Sequence, residues 1–405
     1  DVLSATNFPL TEAARLLAQA GIEAALFVPT ATGLRKSILD AHAGVRGYLL
    51  EAGFHDFDVQ TQGPTHRKLV HCTLFEATSA IETTASLYRP ITKTGDPRFW
   101  ISKLGTYAAP NDLVAIAVDG ERLVGLNLSR PEIRAALADS KSALRQEIGQ
   151  LHARRNANEH QLLTRLRDIA SAGFVRTRRV GDTGVGFTLE QLLGIKANSS
   201  RTPDFLGIEI KSSRIARRGA EPRTRTTLFA QTPDWSRSAL DAVGLLTTYG
   251  YQSDTGRLQL YCTLNPTPNS LGLFLQVNDQ SDNLDARYRP IAGPDRDAVL
   301  WGLANLRAAL RAKHRQTAWV KAEYRGTGTN EEFRYVEVKL TQHPIASNLT
   351  PLLVSGAITV DLLMHELPAS RGGIRVKDHG YLFKIRPSEI ASLFPRPRTV
   401  TLIDS

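Results

Sequence analysis

Residues 203–211, Pro-Asp-Phe-Leu-Gly-Ile-Glu-Ile-Lys, decide the fold of the C-terminal part of this chain. Their apolar residues predict a strand that faces a core. Glu209 and Lys211 share the opposite face, because side chains two apart on a strand point the same way. Asp204 stands just before the strand, where a turn can bring its carboxylate alongside Glu209. Two carboxylates suit Mg²⁺, and a lysine beside them can orient an attacking water. The stretch therefore matches the P-D…(D/E)-x-K pattern of metal-dependent DNA-cutting enzymes.

The spacing of these three residues alone is weak, since it also occurs on edge strands whose charges are merely solvated. The apolar flanks favour the catalytic interpretation, because they tie the strand to a core. Upstream, residues 181–194 form a glycine-rich turn that runs into a helix, with Glu190 in its first turn. This segment is a poor phosphate-binding loop, because it lacks the Gly-Lys-Ser/Thr ending and a preceding strand.

Length and charge limit the number of domains and the class of partner. A chain of 405 residues predicts two or three domains, and 42% apolar residues exclude general disorder. Residues 1–150 carry 15 Lys and Arg against 16 Asp and Glu, so the net charge of +10 arises entirely in the rest of the chain. That excess favours a polyanionic partner. Cys72 and Cys262 are too few for a disulfide framework and indicate thiols in a reducing cytosol.

The pattern of elements predicts an α/β (α+β) chain. We expect an N-terminal β-rich α+β domain at 1–140, a helical linker at 141–156 and a mixed-sheet catalytic domain at 157–405. The N-terminal part predicts a helix at Thr32–Leu50 and a hairpin that turns at Asp119-Gly120. The C-terminal part predicts a helix at Asp297–Ala312 between strands, in the order of restriction-endonuclease-like nucleases.

The run GDTGVGFTLEQLLGIKANSSRTPDFLGIEIKSS, residues 181–213, resembles the catalytic core of the MvaI/BcnI restriction endonucleases, which are in turn similar to the nicking enzyme MutH. The resemblance covers about 157–405 and is looser over 235–320. It implies a type II restriction endonuclease with Mg²⁺ as cofactor. Asp204, Glu209 and Lys211 fall on the family's catalytic residues, and a backbone carbonyl near Ile210 is expected to join the metal site.

The resemblance implies further site residues. Glu190 falls on a shared helix glutamate, for which we favour a supporting role over metal binding. Asp361 and His379 fall on positions that read base edges, although a structural imidazole is the alternative for His379. Lys377 and Lys384 replace a His and an Arg of the family, and Leu363 replaces another Arg. Lysine bridges guanine less rigidly than arginine, so the target sequence is left open. Asp378 belongs to the same segment.

Basic residues crowd together after the catalytic strand. They suit a phosphate-gripping arm, with a solvated basic loop as the alternative. The predicted arm consists of Arg214, Arg217, Arg218, Arg223 and Arg225.

The N-terminal 140 residues exceed what the catalytic unit needs. Residues 86–104 interleave aromatic and basic side chains, which suits DNA contacts, and an ordinary loop that packs Phe99 and Trp100 into a core is an equal alternative. A DNA-binding pseudobarrel like the EcoRII effector domain would fit this plan. The candidate contacts are Tyr88, Arg89, Lys93, Arg98, Trp100 and Lys103.

These observations predict a monomeric, cytoplasmic prokaryotic endonuclease. We expect it to cut double-stranded DNA at a short CC-N-GG-like site, leaving 5′-phosphate and 3′-hydroxyl ends. A second DNA copy is expected at the N-terminal domain, and a cognate methyltransferase is expected to modify the same site without binding the enzyme. The alternatives are a MutH-like or modification-dependent nicking enzyme and a non-catalytic DNA-binding regulator.

Overall fold

The structure is a computed structural model that describes residues 2–153, 157–181, 183–195, 205–214, 225–368 and 374–403. No helix within these ranges is long and apolar enough to cross a bilayer. The α-helices of these ranges are α1 Leu10–Ala20, α2 Ala31–Lys36, α3 Ala43–Glu51, α4 Leu104–Tyr107, α5 Pro131–Ala138, α6 Ala143–Ala153, α7 Ala157–Ser171, α8 Gly184–Leu192, α9 Ala242–Tyr249, α10 Leu303–Lys313 and α11 Leu349–Val354.

The strands belong to four sheets. In chain order they are β1 Ala25–Phe27, β2 Leu39–Asp40, β3 Lys68–Phe75, β4 Ala80–Tyr88, β5 Arg98–Ile101, β6 Val114–Asp119, β7 Arg122–Asn127, β8 Val175–Arg176, β9 Glu209–Arg214, β10 Thr226–Ala230, β11 Tyr251–Gln252, β12 Leu258–Leu264, β13 Leu273–Asn278, β14 Asn283–Tyr288, β15 Arg296–Gly302, β16 Thr317–Arg325, β17 Glu332–Thr341, β18 Ile358–Pro368, β19 Ile374–Ile385 and β20 Arg398–Thr401.

The chain divides into two compact units that are discontinuous in sequence. Unit 1 contains residues 1–147, 222–313 and 345–393, and unit 2 contains 148–221, 314–344 and 394–405. Unit 1 thus unites the N-terminal region with two later segments. The linear division at 1–140 and 157–405 stays a prediction about functional modules.

Unit 1 holds three sheets. The N-terminal sheet has the order β1-β6-β7-β3-β4-β5-β2, and its pairs are antiparallel except β3 with β7. A five-stranded antiparallel sheet follows the order β10-β19-β18-β12-β11, and β13, β14 and β15 form the third sheet. The strand-rich N-terminal region confirms the expected β-rich α+β character.

Buried polar contacts join the segments of unit 1. The guanidinium of Arg307, almost fully buried on α10, donates to the Glu51 carboxylate at 2.7 Å. The buried amide of Asn348 donates to the backbone carbonyl of Ala14 at 2.9 Å. Because each contact satisfies a buried polar group, losing one partner leaves the other uncompensated. The N-terminal region is therefore fastened to the rest of unit 1.

Unit 2 is a mixed sheet with helices packed on it. Its order is β20-β17-β16-β9, with β8 also paired to β17, and β9 runs parallel to β16 at the end of the sheet. Leucines of α7 and α8, including Leu166 and Leu189, pack against Ile208 and Ile210 in one buried cluster. This arrangement confirms the predicted mixed-sheet, restriction-endonuclease-like class.

Two local predictions need correction, and one is confirmed. The single helix at Thr32–Leu50 is wrong, because Ser37 adopts φ 56° and ends α2, and β2 and α3 follow. The helix at Asp297–Ala312 is wrong in its first half, where β15 pairs with β14. The hairpin at Asp119-Gly120 is confirmed, since Asp119 pairs with Arg122 and Gly120 has φ 57°.

Candidate active site and base-reading sheet

A tight turn precedes the catalytic strand. Phe205 and Ile208 exchange two backbone hydrogen bonds of 3.0 and 2.8 Å, and Leu206 and Gly207 between them have φ of 47° and 90°. Two positive φ angles are typical of the two-residue hairpin turn that matches strand twist. In such a hairpin the residues just outside the bonded pair lie opposite each other, with side chains on one face. Asp204 lies outside the described residues, so its place beside Glu209 stays a prediction.

Strand β9 places Glu209 and Lys211 on one side. The alternate residues Ile208 and Ile210 are 1% and 6% exposed in the core of unit 2, which fixes the orientation of the strand. Glu209 is half-buried and Lys211 is exposed. The backbone N–H of Glu209 donates to the carbonyl of Gln316 at 2.9 Å and anchors the start of the strand. The predicted shared face is therefore observed for this pair.

Lys211 lies against an aromatic ring. It pairs with Trp319 in the parallel ladder, and its Nζ stands 5.1 Å from the Trp319 ring centre. The indole N–H donates to the Thr341 hydroxyl at 3.2 Å, which orients the ring. Trp319 remains 42% exposed. An ammonium over an indole face is attracted by the ring quadrupole, so Trp319 restrains the lysine at a solvent-accessible surface.

The donor set around Glu209 suits a hard cation. Within the described ranges, no residue donates a hydrogen bond to the Glu209 carboxylate. Carboxylate and backbone carbonyl oxygens are the ligands that Mg²⁺ and Ca²⁺ prefer. Over the same ranges, no three His, Cys, Asp or Glu residues cluster as a metal site. Asp204 falls outside that search.

Glu190 lies in the last turn of α8, so its predicted place in the first turn is wrong; the helix packs against β9. Val185 and Leu189 of this helix enter the same buried cluster as Ile210. A Cβ added at Gly186 would come within 3.5 Å of the Ser212 hydroxyl on β9, which shows how closely the helix approaches the strand. Glu190 itself is half-buried. Its supporting role stays a prediction.

Sequence reasoning missed a supporting pair at the start of α7. Glu159 is 4% exposed and accepts hydrogen bonds from the Arg398 guanidinium and, at 3.2 Å, from the Gln316 amide. The neighbouring Asn158 amide donates to the Leu206 carbonyl at 2.9 Å within the tight turn. Both contacts brace residues next to Glu209. The local sequence signals only a helix break here, and the partners are distant in the chain.

The predicted basic arm is only partly described. Arg217, Arg218 and Arg223 lie outside the described residues. Arg214 makes a two-pronged ion pair with the buried Glu331 carboxylate, at 2.8 and 2.9 Å. These bonds give Arg214 a structural partner inside unit 2, and its phosphate contact stays a prediction. Arg225 belongs to unit 1 and has a different surrounding.

Arg225, Asp361 and Lys384 form a charged cluster on the five-stranded sheet of unit 1. The Asp361 carboxylate accepts from Arg225 at 2.8 and 3.2 Å, from the Thr263 hydroxyl at 2.7 Å and from Lys384 Nζ at 2.9 Å. Burial raises the pKa of Asp361, but the hydrogen bonds from Lys384, Thr263 and Arg225 outweigh it and lower the pKa overall. Asp361 is therefore ionised at neutral pH. The structure thus brings together two predicted base-reading residues and adds Arg225 to them.

His379 sits at a bulge in β19. Between the pairs Leu362–Tyr381 and Met364–Asp378, two residues of β19 face one residue of β18. Gly380 provides the φ of 110° that this bulge needs, a conformation that favours glycine. The segment Lys377–His379 is exposed. The sequence Asp-His-Gly therefore encodes a bulge that projects exposed polar side chains.

The candidate N-terminal contacts have mixed surroundings. Arg89 donates to the backbone carbonyls of Gly95 and Gln60, at 2.8 and 3.3 Å, and so holds its own loop. Arg98 lies 3.7 Å from Asp40, and Lys103 donates to the carbonyl of Glu82 at 3.2 Å. Lys93 is exposed, while Tyr88 and Trp100 are half-buried. Their DNA contact stays a prediction.

The fold and site together define a nuclease class, in which a mixed sheet carries an acidic residue and a lysine on one strand. Residues 163–394 match the profile of the MvaI/BcnI restriction endonuclease family, and the chain belongs to this family. It is a type II restriction endonuclease, a site-specific deoxyribonuclease.

Two solved structures are similar to this chain. The complex of restriction endonuclease MvaI with cognate DNA is 21% identical, with a TM-score of 0.33, and the match covers 60% of this chain and 98% of that chain. MvaI in the absence of DNA is 19% identical, with a TM-score of 0.38, covering 61% and 98%. No match was found among curated proteins.

Proposed function

We propose that this protein is a Mg²⁺-dependent endonuclease that cuts double-stranded DNA at a specific sequence, leaving 5′-phosphate and 3′-hydroxyl ends. The observation that carries the proposal is the presentation of Glu209 and Lys211 on one side of β9 while Ile208 and Ile210 lock the strand into the core. An acidic ligand and a cation fixed on one rigid strand suit phosphodiester hydrolysis.

The cation site would use the Glu209 carboxylate, the Asp204 carboxylate and the backbone carbonyl of Ile210. A hairpin that continued one residue beyond Phe205 and Ile208 would set position 204 opposite Glu209. When bound, a divalent cation supplies Lewis-acid activation and offsets the negative charge that develops on the phosphate. The oxygen-only donor set favours Mg²⁺ over softer metals.

The residues of the chain have separate tasks in this reaction. Lys211, held against Trp319 at 5.1 Å, positions the attacking water and neutralises phosphate charge. The water oxygen forms a bond to phosphorus, the bond from phosphorus to the 3′ oxygen breaks, and a proton passes to that oxygen. Glu190 and Glu159 support the strand from α8 and α7. The enzyme is proposed to act as a monomer with this single catalytic site.

Base reading is assigned to the five-stranded sheet of unit 1. On binding DNA, the ionised Asp361 would exchange one of its present hydrogen bonds for the exocyclic amine of cytosine, and Lys384, 2.9 Å away, would donate to guanine O6 or N7. An adjacent acceptor and donor suit a G·C pair. This pairing supports a short CC-N-GG-like site, with Lys377, Asp378 and His379 reaching the remaining edges. The predicted arginine arm would hold the phosphates.

The N-terminal region is proposed to bind a second DNA copy and regulate cleavage. The exposed Lys93 and the half-buried Trp100 support this role, while Arg89 is occupied by its own loop. Because residues 1–147 belong to unit 1 with later segments, the full chain is the form to test. Lys93→Ala should remove stimulation of cleavage by added cognate duplex while leaving the unstimulated rate unchanged.

A plasmid digest with Mg²⁺, followed by sequencing of the ends, tests the proposal. We expect linear product with one defined sequence at the cut and 5′-phosphate ends, on both methylated and unmethylated plasmid or on the unmethylated plasmid alone. Product that stays a nicked circle would identify a nicking enzyme, and cleavage of only the methylated plasmid would identify a modification-dependent one. Retention of intact plasmid with tight binding would identify a regulator.

A further inference from the structure

His365, at which the family resemblance assigns no role, lies between two other polar groups on the five-stranded sheet. Its Nδ1 is 3.1 Å from the Tyr261 hydroxyl and 3.2 Å from Nε2 of His379. The two imidazole ring centres are 5.0 Å apart, and the planes are inclined by 33°. His365 is buried, at 6% exposure, whereas His379 is exposed. The buried imidazole of His365 therefore restrains the exposed imidazole of His379.

The register explains why these side chains meet. Leu363, opposite Tyr261 on β18, is two residues before His365, so Tyr261 and His365 share a face of the sheet. The bulge at Gly380 places His379 on the same face, beyond the regular ladder. The pairing is thus fixed by three strands, and the position of His379 does not depend on its own rotamer preference alone.

The bond leaves one nitrogen of His379 for DNA. A ring nitrogen carries either one proton or one lone pair, so the contact between the two histidines uses a single proton. With Nε2 occupied by His365, Nδ1 is the polar atom that His379 can offer to a base edge. A held side chain also loses less conformational entropy on binding than a free one.

We propose that His365 is a positioning residue that fixes the ring of His379 and thereby sets which base the enzyme accepts at the position His379 contacts. This inference rests on the proposed function, since it assumes that the sheet reads DNA. The Tyr261 hydroxyl contacts the same Nδ1 atom of His365 and so helps to fix the orientation of that ring. Discrimination at that base pair then depends on a residue that does not itself touch DNA.

The charges around His365 keep it neutral. Burial lowers the pKa of His365, and Arg257 before β12 together with His379 and Lys377 on β19 lower it further. A neutral ring can share one proton with His379.

Cleavage of a set of duplexes tests the proposal. The duplexes carry the site determined by end sequencing, with each base pair replaced singly, and kcat/KM is measured for each with the full-length protein. His365→Leu should lower the ratio of correct to incorrect cleavage roughly tenfold at one base pair only. His365→Asn, whose amide can stand where Nδ1 stands, should restore most of the ratio. Tyr261→Phe, at a half-exposed site that tolerates the change, should shift the ratio in the same direction.

Nitrogen NMR of the full-length protein without DNA supplies a readout that does not depend on activity. The ¹⁵N shifts of His379 should move in His365→Leu and much less in His365→Asn. Unaltered discrimination in folded His365→Leu and Tyr261→Phe, with wild-type cleavage intact, would overturn this inference alone. Absence of cleavage by the wild type would overturn the proposed function together with it.

Discussion

Lys211 Nζ lies 5.1 Å from the ring centre of Trp319, its neighbour in the parallel ladder of unit 2. We expect Trp319→Ala to lower kcat about fivefold with little change in KM, because an exposed cation–π contact contributes roughly 1 kcal/mol to holding the ammonium. Trp319→Phe keeps an aromatic face and should retain most of the rate. Single-turnover cleavage measures both variants. Equal rates for folded Trp319→Ala and the wild type would remove the positioning role.

Asp361 gives the enzyme a specific acid sensitivity. Its folded pKa is lowered, so the stability it contributes is present above its unfolded pKa and is lost as the pH falls through the folded pKa. Asp361→Asn should therefore be less stable than the wild type at neutral pH, and the difference should shrink in acid. Denaturant unfolding at several pH values measures this. A difference that stays constant down to strongly acidic pH would contradict the assigned ion pairs.

Arg307 and Arg311 form a matched pair, since both bond to Glu51 from α10. Arg307 is 5% exposed and Arg311 is 35% exposed. Arg307→Ala should lower the free energy of unfolding by about 3 kcal/mol, because it leaves Glu51 and Asp282 without a buried partner. Arg311→Ala should cost less, about 1 kcal/mol, because this half-exposed arginine is partly screened by solvent in its ion pairs with Glu51 and Glu23. Equal losses for the two variants would contradict the burial argument.

Gly380 and Gly293 offer a second matched comparison, with φ of 110° and 99°. Alanine at either position should cost about 1 kcal/mol of stability, because residues with a side chain rarely adopt such backbone φ angles. At Gly380 the new Cβ would also stand 3.0 Å from Leu382, whereas at Gly293 nothing lies within 4 Å. Cleavage specificity should fall only for Gly380→Ala, measured on the set of altered duplexes. The same loss for Gly293→Ala would show that the bulge does not aim His379.

The catalytic strand was predictable because its information is local. Alternating apolar residues fix which way Glu209 and Lys211 face. The predicted start of the strand at Phe205 was wrong, because Leu206 and Gly207 form a turn and β9 begins at Glu209. The contacts that brace this strand were not predictable. Glu159 is held by Arg398, a partner 239 residues away, and the local Asn-rich sequence shows only a helix break.

The recognition sheet shows the same limit. The resemblance indicated Asp361, Lys384 and His379, but not that Arg225 joins the first two or that His365 holds the third. These pairings depend on the register of strands that are distant in sequence. They also depend on the bulge in β19, for which Gly380 is the only signal in the sequence. The helix predicted at Thr32–Leu50 failed for a related reason, because β2 is stabilised by pairing with β5 and not by its own sequence.

The central claim is that Asp204, Glu209 and Lys211 form a metal-dependent catalytic site. Cleavage of cognate plasmid by the full-length protein, with Mg²⁺ and then with EDTA, tests it most directly. The account predicts cleavage with Mg²⁺, none with EDTA, and loss of at least about a thousandfold in rate in Lys211→Ala and Asp204→Ala with DNA binding retained. Cleavage that survives in Asp204→Ala, or that persists in EDTA, would contradict it.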